Sequence, residues 1–203
     1  MTNTIKWVFF DLGGVVVDLR PCYTRLASML GKPQPIVQQA YARHAELASR
    51  GRISTAEFWR RIGHDLELTR DGDFPNYSEF WTDNLEPIPE TQALLREFPP
   101  TYHLAILSNT EFGVVDGALR KGRVPDLPYA LVIKSCDVGF AKPDPQIYQI
   151  AQEKAGVQPG EILFTDDRQE NVEAALAAGW QAIQFDSAHP ARSVQEIRTI
   201  LDT

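Results

Sequence analysis

Short runs of apolar residues alternate with amphipathic stretches along most of the chain. The runs are rich in β-branched and aromatic residues, and a polar residue follows each of them. Runs of this kind are typical of parallel strands that are buried on both faces of a sheet. The five predicted strands are IKWVFF before Asp11, YHLAIL before Ser108, YALVIK before Ser135, EILFT before Asp166 and WQAIQF before Asp186.

The stretches between these runs carry the signals of helices. Asp144 followed by Pro145 predicts the start of a helix, and Gly156 predicts its end in a left-handed cap. QENVEAALAAG has apolar residues at helical spacing and ends at Gly179. The alternation of strands and helices predicts an α/β fold, with a doubly wound, mainly parallel sheet and helices on both faces.

Residues 20–85 break this alternation. They contain helical patterns such as IVQQAYARHAELASRG, STAEFWRRIGHDL and YSEFWTDNL, with little strand signal, and Ser54 with Glu57 predicts a capping box. These helices could cover the sheet like the others, but several consecutive helices do not fit a strand–helix alternation. We therefore predict a helical cap domain at 20–85, inserted into a core formed by 1–19 and 86–203.

Composition narrows the classes of function. A formal net charge of −7 over 203 residues argues against a nucleic-acid partner. No apolar stretch approaches the ~20 residues that cross a membrane, and the first residues lack the cleavage site of a signal peptide. Cys22 and Cys136 form no disulfide framework and have no metal-ligand spacing, so we expect reduced thiols in a cytoplasmic protein. The pattern does not indicate an oligomeric state.

Polar residues follow three of the predicted strands at the point where each strand ends. Asp11 follows the first strand, the pair Ser108-Asn109 the second, and the pair Asp166-Asp167 the fourth. Any one of these could simply form a turn. The carboxyl ends of parallel strands share one sheet edge, however, and ligands bind there in open α/β sheets. We therefore expect these side chains to form one site.

The chemistry of that site follows from its charges. Three crowded carboxylates repel one another unless a cation is present, and oxygen ligands without histidine or cysteine suit Mg²⁺. Lys142 precedes a predicted helix and could supply a second positive charge, although a surface lysine is the alternative. The polar side chains of Ser108 and Asn109 could bind phosphoryl oxygens. Together these features indicate phosphoryl transfer.

Four segments, in order, resemble the motifs of the haloacid dehalogenase-like (HAD) superfamily of hydrolases. FFDLGGV resembles the first motif, LSNT the second, AKPDP the third and FTDDRQEN the fourth. The likeness covers essentially the whole chain, and the helical insert lies where the first cap type of that family belongs. The resemblance implies a Rossmann-like core and is strongest to small bacterial sugar-phosphate phosphatases.

The resemblance also implies a role for each residue. Asp11 would be the nucleophile that forms an aspartyl-phosphate. Ser108 and Asn109 would bind the phosphoryl group, and Lys142 would stabilise its charge. For the metal, the resemblance implies Asp11, Asp166 and the backbone carbonyl of Gly13 as ligands, with Asp167 and Asn171 supporting them. The substrate would be a small phosphorylated metabolite that the cap selects.

Gly13 departs from the family pattern, in which most phosphatases have an aspartate two residues after the nucleophile. Glycine keeps the backbone carbonyl but lacks the side chain that protonates the leaving group, a contribution of about 10²–10⁴ in rate. This favours good leaving groups, such as the anomeric oxygen of a sugar 1-phosphate. His44, Glu46 and Arg50 on a predicted cap helix could supply the missing help or could form a solvated face.

Two other functions stay open at this stage. A non-catalytic protein that binds a phosphorylated ligand would explain the missing acid at Gly13. A haloacid dehalogenase is the other alternative, although such enzymes need no metal and the pair Asp166-Asp167 argues against it. An Mg²⁺-dependent sugar-phosphate phosphatase accounts for more of the observed residues than either alternative.

Overall fold

The structure is a computed structural model that describes residues 5–68 and 74–202. A five-stranded sheet forms its centre, with the strand order β5-β4-β1-β6-β7 and every neighbouring pair parallel. A second, two-stranded sheet pairs β2 with β3 in antiparallel fashion. The strands are β1 (Trp7–Phe10), β2 (Val17–Asp18), β3 (Glu86–Pro87), β4 (His103–Ser108), β5 (Leu131–Lys134), β6 (Ile162–Asp166) and β7 (Gln181–Gln184).

Helices connect these strands and cover both faces of the central sheet. All five strands predicted for this sheet are present, so the predicted α/β fold is confirmed, whereas β2, β3 and the short α7 were not predicted. The helices are α1 (Arg20–Leu30), α2 (Gln34–Ser49), α3 (Thr55–Asp65), α4 (Tyr77–Asn84), α5 (Pro89–Arg96), α6 (Val114–Arg120), α7 (Ser135–Val138), α8 (Pro145–Ala155), α9 (Gln169–Ala177) and α10 (Pro190–Leu201). In the part of the chain that is described, no helix is long and apolar enough to cross a membrane.

The central strand β1 is buried on both faces of the sheet. Val8 and Phe10 point into one hydrophobic cluster, whereas Trp7 and Phe9 point into a second cluster on the opposite face. This two-sided burial explains why β1 is apolar throughout instead of alternating with polar residues. It also fixes the position of the residue that follows, because Phe10 pairs with Ile106 of β4 and with Thr165 of β6.

Helix ends confirm the predicted caps at Asp144, Gly156 and Ser54. The side chain of Asp144 accepts a hydrogen bond from the backbone N–H of Gln146, and Gly156 ends α8 with a φ of 67°. Ser54 likewise caps α3 through the N–H of Glu57. The predicted capping box is only half formed, because the carboxylate of Glu57 binds Arg60 and Arg61 instead of turning back to the start of the helix.

Helices α1 to α4 follow one another between β2 and β3, as the predicted insert requires. The pairing of Val17 with Pro87 and of Asp18 with Glu86 brings the two ends of this segment together. Contacts of α2 with α7 and of α4 with α6 place the helices against the core. The division into a core and a cap stays a prediction, with which this pairing is compatible.

Candidate active site

The ends of three adjacent strands bring the predicted residues together. Because β1 lies between β4 and β6, Asp11 at the end of β1 lies beside Ser108 and Asp166, which end the two neighbouring strands. The backbone N–H of Asp11 donates a 2.9 Å hydrogen bond to the carbonyl of Thr165, which continues the sheet by one residue. The parallel register thus places the candidate nucleophile Asp11, the hydroxyl of Ser108 and the carboxylate of Asp166 at one edge of the sheet.

Lys142 is the centre of an ion-pair network at this edge. Its ammonium Nζ lies 2.8 Å from Asp11 Oδ1 and 2.6 Å from Asp166 Oδ2, and it donates a 2.7 Å hydrogen bond to the carbonyl of Leu107. The side chain is 1% exposed, so the alternative of a surface lysine is wrong. Two carboxylates and one carbonyl use all three donors of the ammonium group.

Asn109 holds the backbone that carries this lysine. Its Nδ2 donates to the carbonyl of Lys142 at 2.7 Å, and its Oδ1 accepts from the backbone N–H of Lys142 at 2.8 Å. The peptide bond between Lys142 and Pro143 is cis. The amide of Asn109 therefore joins β4 to the loop before α8, and its predicted contact with the phosphoryl group stays a prediction.

Asp166 is fully buried and both of its carboxylate oxygens have donors. Oδ1 accepts from the backbone N–H of Arg168 and from Asn171 Nδ2, each at 2.9 Å, while Oδ2 faces Lys142. Asn171 thus contacts this acid, its predicted role at a metal site stays a prediction, and its own Oδ1 is buried without a hydrogen-bond partner. The next residue, Asp167, lines the cavity instead. This geometry favours Asp167 as the metal ligand and Asp166 as the supporting acid, which is the reverse of the predicted roles.

Gly14 makes room for Asp167. It adopts a φ of +76°, and a Cβ added there would lie 2.3 Å from Asp167 Oδ2. A side chain at this position would therefore collide with the carboxylate, in a backbone region that favours glycine. The close approach explains why the turn after β1 carries glycine at this point.

The electrostatics reflect three acids around one lysine. Burial, followed by the charges of Asp166 and Asp167, raises the pKa of Asp11 to about 7, although Lys142 acts in the opposite direction. Burial and Asp166 also raise the pKa of Asp167. Desolvation of Lys142 is outweighed by its two carboxylate neighbours, which raise its pKa. The site therefore has too little positive charge for its carboxylates.

The donor set fits a hard divalent cation. Ligand atoms of Asp11, Asp166 and Asp167 lie within 4.8 Å of one another, and each of them is a carboxylate oxygen. Oxygen ligands of this kind suit Mg²⁺, and a bound cation would offset the excess negative charge. The residues present therefore fit the predicted metal.

Leu19 occupies the space beside Gly13. A Cβ added to Gly13 would lie 2.6 Å from Leu19 Cδ1. The position at which the family pattern has an acidic side chain is thus filled by an apolar group that follows β2. Gly13 therefore packs against Leu19, a contact that the pattern of apolar residues does not predict.

A cavity of about 520 Å³ opens in front of these residues. Asp11, Ser108 and Lys142 form its floor, and Tyr41 and Trp81 of the insert line it from above. The insert therefore contributes to the wall of the cavity. Its aromatic side chains were not identified as site residues from the sequence.

The three cap residues that we considered as sources of catalytic help lie elsewhere. His44 contacts Asp65, and Glu46 is largely exposed. Arg50 pairs with Glu46 and, at 3.0 Å, with Asp144 at the start of α8. In the part of the chain that the structure describes, none of the three residues lines the cavity. They form contacts at the surface and between the end of α2 and the start of α8.

Glu111 is a further site residue that sequence reasoning missed. It lines the cavity three residues after Ser108, is 8% exposed, and accepts a 2.8 Å hydrogen bond from the hydroxyl of Tyr41. The one available signal was its place in LSNTEF, just beyond a strand end that already carried site residues. Its partner lies 70 positions earlier in the chain, which no local pattern indicates.

Comparison with known proteins gives a match to one family model, described as haloacid dehalogenase-like hydrolase, over residues 5–179. The chain is 34% identical to acyl-CoA dehydrogenase family member 10 of Mus musculus, over 98% of this chain but only 19% of that protein. It is 26% identical to the D-ribitol-5-phosphate phosphatase of Bacteroides thetaiotaomicron, over 98% of this chain and 100% of that protein.

One solved structure adds a comparison of the fold. A HAD family enzyme from Bacteroides thetaiotaomicron, crystallised with magnesium and inorganic phosphate, superposes with a TM-score of 0.72 at 22% identity. The superposition covers 90% of this chain and 95% of that chain. At this level of identity the likeness concerns the fold.

Proposed function

Because the chain belongs to the haloacid dehalogenase-like hydrolases, we propose that it is an Mg²⁺-dependent phosphatase of a small sugar phosphate. One observation carries the proposal: Lys142 bridges Asp11 and Asp166, and carboxylate oxygens of Asp11, Asp166 and Asp167 lie within 4.8 Å of one another. A nucleophilic carboxylate, a fixed cation and a metal-binding set of oxygens are the parts that phosphoryl transfer requires. The sugar-phosphate substrate is supported by the phosphatase among the relatives.

Two displacements at phosphorus make up the reaction. An oxygen of Asp11 attacks phosphorus, the bond to the ester oxygen breaks, and its electron pair leaves with the alcohol, which takes a proton from water. Water then attacks phosphorus in the aspartyl-phosphate, which releases inorganic phosphate and restores the carboxylate. The buried Lys142 counters the negative charge of the Asp11 carboxylate and of the phosphoryl group that it attacks.

The remaining residues bind and position. Ser108 ends β4 at the cavity and is suited to bind a phosphoryl oxygen through its hydroxyl. Asn109 is a positioning residue, because its amide fixes the backbone of Lys142. We assign the metal to Asp11, Asp167 and the Gly13 carbonyl, since the oxygens of Asp166 are already engaged by donors. When bound, Mg²⁺ supplies positive charge that draws electron density from the phosphoryl oxygens.

The absence of an acid at Gly13 determines which leaving groups are favourable. The leaving oxygen departs without a proton from this position, so esters of more acidic alcohols react faster. An anomeric hydroxyl is more acidic than a primary one. A sugar 1-phosphate is therefore the expected preference over the corresponding 6-phosphate.

The test is hydrolysis of an aryl phosphate and of glucose 1- and 6-phosphate, with Mg²⁺ and with a chelator. We expect activity that requires Mg²⁺ and falls at least about a thousandfold in Asp11→Asn. Asp126→Asn, which neutralises an exposed acid, serves as the matched control. Activity that persists in both Asp11→Asn and the chelator would refute the proposal.

Two further outcomes would identify the alternatives. Tight binding of phosphate in Mg²⁺, with no turnover of any substrate, would indicate a binding protein. Release of chloride from a 2-chloro acid without metal would indicate a dehalogenase. Faster hydrolysis of the 6-phosphate than of the 1-phosphate would contradict the argument from Gly13 but would leave the phosphatase function in place.

A further inference from the structure

A buried acid that the proposed mechanism does not use lies on the wall of the active-site cavity. Glu111 follows β4, is 8% exposed, and shares the cavity with Asp11 and Ser108. Glutamate is seldom buried in proteins unless it has a partner. The burial of Glu111 in the cavity wall therefore needs an explanation.

Two tyrosines from the insert fix this carboxyl group. The hydroxyl of Tyr41 in α2 donates to Glu111 Oε1 at 2.8 Å and lies 3.1 Å from the hydroxyl of Tyr77 in α4. Burial raises the pKa of Glu111, whereas the hydrogen bonds from the two hydroxyls lower it. The pKa of Glu111 stays above its usual value, so the two hydroxyls offset the effect of burial only in part while they hold the carboxyl group in place.

Glu111 differs from Asp11 and Asp166 at the sheet edge, because no cation of the described chain contacts its carboxylate. Asp11 and Asp166 each contact Lys142, but within residues 5–68 and 74–202 no lysine, arginine or histidine forms an ion pair with Glu111. A desolvated carboxylate needs hydrogen-bond donors. Because this one lines the cavity, a bound ligand can supply them.

The surroundings of Glu111 specify the chemistry of that ligand. Tyr23, Tyr41 and Trp81 line the same cavity and pack edge to face at centroid distances of 5.1–5.3 Å. Their rings offer apolar surface to the C–H groups of a sugar, and the carboxylate accepts hydrogen bonds from its hydroxyls. The same carboxylate repels a second anionic group on the ligand.

Building on the phosphatase function proposed above, we propose that Glu111 is a specificity-determining residue. It accepts hydrogen bonds from hydroxyl groups of the leaving sugar or polyol and excludes leaving groups that carry a second phosphate. The preferred substrates are then monophosphates of neutral polyhydroxylated compounds. Tyr41 is a positioning residue, since it acts through the orientation of Glu111.

The test compares glucose 1-phosphate with glucose 1,6-bisphosphate, which share the reacting end and differ by the second phosphate. We expect the wild-type enzyme to prefer the monophosphate in kcat/KM. In Glu111→Gln this preference should fall at least about tenfold, because the repelling charge is gone while the shape is kept. Tyr41→Phe, which leaves the acid in place, should lower the preference less. Glu153→Gln, an exposed acid on α8, should leave the preference as it is.

Binding measurements separate this proposal from the proposed function. The two sugar phosphates are titrated in Mg²⁺ into Asp11→Asn and into Asp11→Asn/Glu111→Gln, so that the affinity ratio is obtained without turnover. A ratio that falls tenfold in the second variant supports the role of Glu111 even if the wild-type protein hydrolyses nothing. An unchanged ratio in a variant that retains its melting temperature would overturn it, as would tighter binding of an amino-alcohol phosphate than of glucose 1-phosphate.

Discussion

Replacing Asp11 with asparagine should abolish catalysis and yet stabilise the metal-free protein at pH 8. Asp11 is 8% exposed and lies beside Asp166 and Asp167, with only Lys142 to balance the three acids. Its pKa rises on folding from 3.8 to about 7. An acid whose pKa is raised by folding destabilises the folded state once it is ionised. Asparagine removes that charge and keeps the shape of the side chain.

The sign and size of the effect follow from the pKa of Asp11. Below about pH 4 the group is protonated in both the folded and the unfolded state, so folding does not depend on its charge. Between 3.8 and about 7 only the folded state keeps the proton, and the free energy of unfolding falls as the pH rises. The full difference corresponds to about 4 kcal/mol. Because asparagine also weakens the contact with Lys142, we expect a gain of about 2–3 kcal/mol at pH 8.

Urea unfolding at pH 5 and pH 8, with a chelator present, measures this effect. The wild-type protein should lose stability between the two pH values, and Asp11→Asn should lose less. Asp126→Asn, with the same change at an exposed site, should follow the wild type. Added Mg²⁺ should largely cancel this difference, since saturation at a hundred times Kd adds about 2.7 kcal/mol, and the wild-type protein, which keeps the Asp11 carboxylate, binds the ion more tightly. An Asp11→Asn protein that is less stable than wild type at pH 8 without metal would refute the reasoning.

Two substitutions test the glycines of the turn. Gly14→Ala should destabilise the protein by about 1–3 kcal/mol and raise the Mg²⁺ concentration for half-maximal activity, because its Cβ displaces Asp167. Gly160→Ala is the control, since a Cβ there meets no atom within 4 Å. Equal metal dependence in the two variants would contradict this prediction. Gly13→Asp combined with Leu19→Ala should speed hydrolysis of glucose 6-phosphate about 10–100-fold relative to an aryl phosphate, and an unchanged ratio would count against a missing acid.

The sheet edge could be predicted because parallel strands impose it. Once five apolar runs are recognised as parallel strands, the residues that follow them must meet, and Asp11, Ser108 and Asp166 do so. The different roles of Asp166 and Asp167 could not be predicted in the same way. Neighbouring residues at a strand end point in different directions, and only the contacts with Lys142 and Asn171 distinguish them.

The cavity wall could not be predicted, because it depends on contacts between distant segments. Tyr41 and Glu111 belong to the insert and the core, and each looks unremarkable in its own helix or turn. Leu19 follows a two-residue strand that is too short to leave a pattern. Such contacts come from tertiary packing, whereas periodicity reports only which face of an element is buried.

The turn after β1 therefore reflects more than the loss of one side chain. Leu19 Cδ1 lies 2.6 Å from the position of a Cβ at Gly13, so an acid introduced there alone would have to displace the end of an apolar side chain. The apolar contact and the missing acid are consistent with each other, because both suit a leaving group that departs without help from this side. On the two proposals made above, the turn favours substrates by the acidity of their leaving group, and the carboxylate of Glu111 at the cavity wall then selects among them by their hydroxyl groups and charge.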